Sequence, residues 1–232
     1  LAELKKEGKE IESVDKKLGE VAKDLSSNYG ITVETISKEG DIFTTIAEVA
    51  EEIGAKLIFL GTHGKVGMQK LTGSFALRVI TSSETPTIVV QKRKFDNSFG
   101  KMVVPITSDA GPWAKTKWAA YIAKEFKAQI HLFHLPSDEL DDVMTMITNH
   151  LKVNDVDFVV NTAEKGGNFT KQVIDYATSV NAELMLIMTN PDKNFKTFLL
   201  GSYDEDLIFN TSQIPVMCIN PRDFNWKKIV PR

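Results

Sequence analysis

The sequence predicts an α/β protein made of two tandem units, each a doubly wound parallel sheet of five strands in the order 3-2-1-4-5. Three observations predict this fold. Short apolar segments alternate with amphipathic ones, the apolar segments suit strands buried on both faces, and landmarks of the first half recur in the second. The first unit spans 1–92 and the second 101–222, with a polar linker between them. A chain of 232 residues, 42% of them hydrophobic, is long enough for both cores.

The first unit opens with an amphipathic helix over residues 2–28, in which Leu4, Ile11, Leu18 and Leu25 fall at heptad spacing. Alternation, glycine punctuation and continuous apolar runs predict the elements that follow. They are a strand over 31–36, a helix over 42–53, a strand over 57–60, a helix that includes 75–80 and a strand over 87–90.

The second unit repeats this alternation of strands and helices from Lys101 onward. The predicted strands are 102–106, 129–133, 156–160, 184–187 and 216–219. The predicted helices are 114–127, 139–151 and 170–180. Five strands that alternate with helices favour a parallel sheet covered on both faces.

The two halves align as copies of one unit. Matched landmarks keep their order with shifts of only one or two residues: Ala55 with Ala182, Leu57 with Leu184, Thr62 with Thr189, Gly73-Ser74 with Gly201-Ser202, and Pro86 with Pro215. So many ordered matches indicate an internal duplication.

The duplication also indicates a difference at the start of the two copies. The second copy has a strand, a helix and a strand over residues 101–138, and the first copy begins directly at its long helix. By analogy about 40 residues are absent, and the strand predicted over 31–36 has no neighbour that joins it to 57–60. We expect the native protein to be longer and this chain to lack an N-terminal piece. The alternative is that another chain supplies those strands.

Composition excludes several classes of function. A net charge of −3 gives no electrostatic reason to expect nucleic acid or an anionic membrane as a partner. No apolar run approaches the ~20 residues that span a bilayer, and residues 1–28 are too charged for a signal peptide. The single cysteine, Cys218, lies in an apolar strand pattern and is predicted to be a core residue. A reducing, cytoplasmic location fits these features.

The candidate functional site is a glycine-spaced loop that follows the apolar strand 57–60. It reads Gly61-Thr62-His63-Gly64 and continues to Gly73-Ser74 before the helical stretch that begins at Phe75. Glycines let the backbone approach an anion, and the N–H groups at a helix N-terminus point at it, so the pattern predicts a phosphate site. His63 is interpreted as a turn residue or nucleotide contact rather than a base or metal ligand. Lys65 either reaches phosphate oxygens or is a solvated loop lysine.

At this loop the sequence resembles the universal stress protein family, in its tandem two-domain form. The resemblance covers residues 31–90 and 101–220 and rests on the glycine loop and the closing strand pattern Thr85-Pro86-Thr87-Ile88-Val89-Val90. It implies an adenine-nucleotide alpha-hydrolase-like fold and a stress-response role. It also implies binding of ATP or AMP, with Mg²⁺ accompanying ATP, at Gly61, His63, Gly64, Lys65, Gly73, Ser74 and Phe75. Other members of the family bind no nucleotide and act through dimerisation.

Two departures from the family signature weaken the implied site. Eight residues, 65–72, separate Gly64 from Gly73, where the signature has nine. The family's acidic residue after strand 1 falls in the absent part of the first copy, and Thr107 takes its place in the second.

In the second copy Asn190-Pro191 replaces the glycines, and proline fixes φ and removes a donor. The second site is therefore predicted to be inactive.

The sequence shows no nucleophile with its base and no paired carboxylates beside an apolar pocket. We therefore expect a protein without dedicated catalysis, in which any ATP hydrolysis is slow and incidental. The two units are expected to pack through their final strands as an intrachain pseudo-dimer, with a homodimer as a further possibility. The competing interpretation is a nucleotide-free dimerisation or interaction module.

Overall fold

The computed structural model describes residues 2–62, 70–94, 99–107, 112–189 and 202–220, without the side chains of 2–11, 70–75, 112–114 and 202–204. The chain divides into two compact units, Leu1–Thr45 and Ile46–Arg232. The predicted linker between residues 92 and 101 lies inside the second of these units, whose sheet includes strands from both sides of it.

Helices and strands alternate along most of the described chain. The helices are α1 (Ala2–Tyr29), α2 (Ile42–Glu52), α3 (Lys70–Ser82), α4 (Pro112–Phe126), α5 (Asp141–Val153), α6 (Phe169–Ser179) and α7 (Ser202–Ile208). The strands are β1 (Ile58–Gly61), β2 (Thr87–Val90), β3 (Lys101–Ile106), β4 (Gln129–His134), β5 (Phe158–Thr162), β6 (Leu184–Met188) and β7 (Val216–Ile219). A 3₁₀ turn, Asp138–Leu140, leads into α5.

The strand predicted over 31–36 is wrong. These residues are described and carry no strand, although their pattern alternates. Strand conformation depends on hydrogen bonds to a neighbour. In the second half the corresponding strand β5 pairs with β4, whereas the described residues of the first half provide no counterpart of β4. A local alternating pattern therefore does not produce a strand here.

All seven strands form one sheet in the order β1-β2-β7-β6-β3-β4-β5. Neighbours are parallel except β2 and β7, which pair antiparallel through Thr87–Cys218, Ile88–Met217 and Val89–Val216. Counted from β3, the five strands of the second half stand in the order third, second, first, fourth, fifth. Among the described residues, the first half contributes only β1 and β2 to the sheet. Its counterpart of this five-strand order is not seen in the described residues.

The sheet has an apolar core on each face. Successive residues of β7 alternate between them: Met217 and Ile219 belong to the core that contains Trp118, while Val216 and Cys218 belong to the opposite core. This alternation is the period-2 geometry of a strand buried on both sides. Cys218 is 1% exposed and lies in this second core, which confirms its prediction as a core residue.

The unit Leu1–Thr45 contains α1 and the start of α2. Asp41 caps α2, since its carboxylate accepts a hydrogen bond from the Phe43 N–H at 3.2 Å. Gly40 precedes it with φ 151°, and a β-carbon there would collide with the Thr45 hydroxyl. This arrangement fits the observed start of α2 at Ile42, which confirms the start of the helix predicted over 42–53. In the described part of the chain, no helix combines the length and the hydropathy needed to cross a membrane.

Candidate functional site

The predicted glycine loop leaves the sheet at the carboxyl end of β1. Gly61 is the last residue of β1 and pairs with Val90, and the Thr62 N–H donates to the Val90 carbonyl at 2.8 Å. A β-carbon on Gly61 would meet no described atom within 4 Å. Within the described residues, nothing crowds the backbone at the point where the loop begins. His63, Gly64 and Lys65 lie outside the described residues.

The far side of the loop is helix α3. The described part of this helix runs from Lys70 to Ser82, so Gly73 and Ser74 lie within the helix rather than ahead of it. Phe75 follows them in the same helix, and the side chains of all three lie outside the description.

Thr62 is a candidate residue that sequence reasoning did not select. Its hydroxyl oxygen is buried and has no hydrogen-bond partner among the described residues. Thr189, its counterpart in the second half, donates its hydroxyl to the Ile219 carbonyl at 3.3 Å. The backbone contacts of the two residues are alike, because the Thr189 N–H donates to the same Ile219 carbonyl at 2.8 Å. Among the described residues, the Thr62 hydroxyl therefore lacks the backbone partner that the Thr189 hydroxyl has.

The second half places a cation near the end of its central strand. Lys115 in α4 is 7% exposed, and its ammonium group donates to the carbonyl of Pro105 in β3. Thr107, which stands where the acidic residue was expected, follows β3 directly. Residues 190–201, which correspond to the glycine loop, lie outside the described residues. Lys115 had no sequence signal beyond its position near the start of α4.

A polar network lies on one face of β4 and β5. The Asn161 amide donates to the Tyr176 hydroxyl, and the Tyr176 hydroxyl lies 2.7 Å from His131 Nδ1. His131 Nε2 lies 3.0 Å from Gln129 Oε1, and Gln129 donates onward to Asp157 at 2.8 Å. Burial, and then Lys101, lower the pKa of His131 below its usual 6.5, while Asp157 acts in the opposite direction. The network therefore suits a neutral His131.

Beyond this network, the described residues form a cleft but no cluster of metal ligands. A cleft of about 300 Å³ opens at the carboxyl ends of β4 and β5, and it is lined by Leu135, Pro136, Ser137, Leu140, Glu164, Lys165, Gly166, Gly167 and Gln172. At the rim of this cleft, the Gln172 side-chain oxygen accepts a hydrogen bond from the Glu164 N–H at 2.8 Å. Within the described ranges, no three His, Cys, Asp or Glu side chains come together as metal ligands.

Comparison with known proteins points to one family. Residues 1–91 match the model of the universal stress protein family. The universal stress protein MJ0531 of Methanocaldococcus jannaschii is 39% identical over 92 residues, which cover 39% of this chain and 50% of the relative. The universal stress protein Sll1654 of Synechocystis is 40% identical over 76 residues, which cover 32% of this chain and 48% of the relative. The chain thus spans about half the length of the curated relatives it matches.

Solved structures extend the likeness in fold to both halves. A universal stress protein from Archaeoglobus fulgidus superposes with a TM-score of 0.75 over 90% of this chain and 76% of its own, at 20% identity. A protein from Pseudomonas aeruginosa described as a putative universal stress protein gives a TM-score of 0.59 over 89% of this chain and 78% of its own, at 16% identity. At these identities the likeness is one of fold.

Proposed function

We propose that this chain is a tandem universal-stress-type protein, and that its first half binds an adenine nucleotide, ATP or AMP, at the loop between β1 and α3. Gly61 and Gly64 would let the loop curl around the ribose and phosphates. The N–H groups at the start of α3 would face the phosphates, because a helix N-terminus favours an anion. Mg²⁺ would accompany ATP, held by the phosphates more than by the protein.

The observation that carries this proposal is the position of the family match. It covers residues 1–91, which include the glycine loop and the strand that closes the first half. Two features of the described residues support it. No described atom lies within 4 Å of a β-carbon placed on Gly61, and the Thr62 hydroxyl beside it is buried without a described partner. A ligand with a hydrogen-bonding sugar or phosphate would satisfy that hydroxyl.

The second half serves in this proposal as the structural partner of the first. Asn190-Pro191 stands where the first copy has glycines, and the Lys115 ammonium lies buried near the end of β3. The antiparallel pairing of β2 with β7 joins the final strands of the two halves. This pairing supports an intrachain pseudo-dimer. A single cysteine, Cys218, that is buried in the core suits a reducing cytoplasmic compartment.

We do not assign dedicated catalysis to the chain. The described residues around the end of β1 offer a hydroxyl and backbone groups, which bind and orient but do not activate a nucleophile. ATP turnover is therefore expected to stay near the uncatalysed background. Steady turnover by the purified chain that is lost in the Gly64→Val variant would overturn this part of the proposal.

Calorimetric titration with ATP and with AMP tests the binding. We expect saturable heat with the wild-type chain and its loss in Gly64→Val, because a β-branched side chain would fill the loop. The matched control is Pro191→Val at the equivalent position of the second half, which should bind as the wild type does. Absence of heat with the wild type, or equal heat in both variants, would exclude a nucleotide site in the first loop.

The second candidate function is a nucleotide-free interaction module. The observation that favours it is the continuous seven-stranded sheet, in which the two halves are joined strand to strand. The same titration separates the two candidates, because an interaction module gives no heat with either nucleotide although it is folded.

A further inference from the structure

Helices α4 and α5, which pack on the same core of the sheet, carry lines of side chains with identical spacing. In each helix three positions follow one another at intervals of four and three residues, which places them on one side of the helix. They are Lys117, Tyr121 and Lys124 in α4 and Met146, His150 and Val153 in α5. We call these six residues the α4–α5 face. It is two turns long, or about 10 Å.

The two lines of side chains adjoin. The Lys124 ammonium, near the end of α4, donates to Asn154 Oδ1 at 3.1 Å, and Asn154 is the C-cap of α5. The Asn154 amide donates in turn to the His150 carbonyl at 2.8 Å. Because the strands that α4 and α5 connect are parallel neighbours, the two helices run in the same direction. Their C-terminal ends therefore lie together, and the two lines form one surface.

The α5 part of this face is apolar and open to solvent. Val153 is 86% exposed and Met146 is 56% exposed. Among the large hydrophobic side chains of the described residues, Val153 has the greatest exposed fraction. On the α4 part, the half-buried Tyr121 ring packs edge-on against the buried Trp118, with ring centroids 5.8 Å apart. A fixed aromatic ring on one face with exposed aliphatic side chains is typical of the centre of a protein interface.

The charges at the middle of the α4–α5 face are positive. Lys117 and Lys124 stand two turns apart on α4. Burial, and then Lys117 and Lys124, lower the pKa of His150 below its usual 6.5, so both cations lie close enough to act on that ring. Three acidic residues border the face at its ends: Asp142, Glu125 and Asp155. A partner that covers the middle of the face therefore meets cations beside apolar side chains.

We propose that the α4–α5 face is a docking site for an acidic amphipathic helix of a partner protein. Apolar side chains of that helix cover Met146 and Val153, and its carboxylates lie over Lys117 and Lys124. Since the face is two turns long, the docking helix carries apolar residues at i, i+4 and i+7, flanked by Asp or Glu. The two lysines disfavour a basic helix with the same apolar residues, and this repulsion provides specificity.

A pair of synthetic helices tests the charge preference. The probe is a fluorescent peptide of about 18 residues, long enough to form a helix, with leucine at i, i+4 and i+7 and glutamate on both sides of that line. A second peptide has lysine at every glutamate position. Anisotropy with the full chain should show saturable binding of the acidic peptide and about tenfold weaker binding of the basic one. Equal affinities, or no saturable binding of the acidic peptide, would overturn the proposal.

Variants of the chain locate the site. Lys124→Glu should weaken binding of the acidic peptide by about tenfold, because a carboxylate then faces those of the peptide. The matched control is Lys152→Glu, which makes the same change at an exposed position of α5 outside the face and should bind as the wild type does. Val153→Glu should also weaken binding, and circular dichroism checks that each variant is folded. Equal losses in Lys124→Glu and Lys152→Glu would contradict the proposed site.

Two other occupants are outcomes of the same set of variants. Self-association of the wild-type chain that Val153→Glu abolishes, measured by analytical ultracentrifugation, would make a second copy the occupant. Co-sedimentation with phosphatidylserine vesicles that Lys124→Glu abolishes would make an anionic membrane the occupant. Either result would overturn the proposal. No nucleotide enters these measurements, so the docking site and the nucleotide site stand or fail independently.

Discussion

The side-chain amides of Gln91 and Asn220 make reciprocal hydrogen bonds: each donates to backbone carbonyls in the other half of the chain. Each follows the closing strand of its own half and donates to carbonyls near the C-terminus of a helix in the other. Asn220 donates to the carbonyls of Ile80, Thr81 and Ser83 at 3.3, 3.0 and 3.1 Å. Gln91 donates to those of Ile208 and Asn210, at 3.4 Å each. The last carbonyls of a helix lack intrahelical donors, so these amides satisfy groups that would otherwise be unpaired.

Removing the Asn220 amide should destabilise the protein more than removing that of Gln91. Asn220 is 2% exposed and its bonds are the shorter ones, so Asn220→Leu leaves buried carbonyls without donors. We expect a loss of about 1–3 kcal/mol in the free energy of unfolding. Gln91→Leu should cost about 0.5 kcal/mol, because its contacts are long and partly solvated. Urea denaturation measures both, and equal losses would contradict this ranking.

Phe59 in β1 and Leu186, the aligned residue in β6, differ in exposure, so truncating their side chains should destabilise the protein to different extents. Leu186→Ala opens a cavity in a full core and should cost about 2–5 kcal/mol. Phe59→Ala removes a largely exposed side chain and should change the stability of the isolated chain by about 0.5 kcal/mol or less. Chemical denaturation of the two variants compares them directly. A large loss for Phe59→Ala would mean that β1 is covered in solution.

The two equivalent threonines should respond differently to loss of the hydroxyl. Thr189→Val removes a buried hydrogen bond to the Ile219 carbonyl and should cost about 1 kcal/mol. Thr62→Val removes a hydroxyl with no described partner and should leave stability unchanged or slightly raised. In calorimetry Thr62→Val should weaken nucleotide binding and Thr189→Val should not. Unchanged nucleotide affinity in Thr62→Val would remove that hydroxyl from the proposed site.

His131 should make the stability of the fold depend on pH. Its folded pKa lies below the usual 6.5, so the unfolded chain binds the proton more tightly. The stabilisation is present above pH 6.5 and is lost as the pH falls through the folded pKa. Protonation places a hydrogen on Nδ1, where the Tyr176 hydroxyl donates. Urea midpoints between pH 5 and 8 should fall on the acid side, and His131→Gln should flatten that fall. If the urea midpoint of His131→Gln falls with pH as that of the wild type does, a titrating group other than His131 causes the fall.

Much of the fold could be predicted because its elements are strongly patterned. Continuous apolar runs located β1, β2, β6 and β7 to within a residue or two, and the heptad spacing predicted α1. Residues paired by the landmark alignment also make equivalent backbone contacts in the structure. The Ala55 N–H donates to the Ala50 carbonyl at 2.8 Å, and the aligned Ala182 N–H donates to the Ala177 carbonyl at 2.8 Å.

Less of the candidate site could be predicted. The sequence selected Gly61, but neither the Thr62 hydroxyl nor the buried Lys115 has a local pattern that marks it. The linker was expected to be polar throughout, yet Phe99 is buried and packs edge-on against Phe126 with ring centroids 4.9 Å apart. Each of these features depends on contacts with residues that are distant along the chain.

The sequence alone determined which segments are helices and strands wherever burial on a fixed period dictated the pattern. It also determined the correspondence of the two halves, because matched residues kept their order. Only the tertiary structure decided what a segment without a neighbour becomes. Residues 31–36 alternate as a strand but do not form one, and Phe59 is exposed where Leu186 is buried. The physical reason is that other elements supply both the hydrogen bonds of a strand and the burial of an apolar side chain. The sequence of a segment does not show whether those neighbouring elements are present.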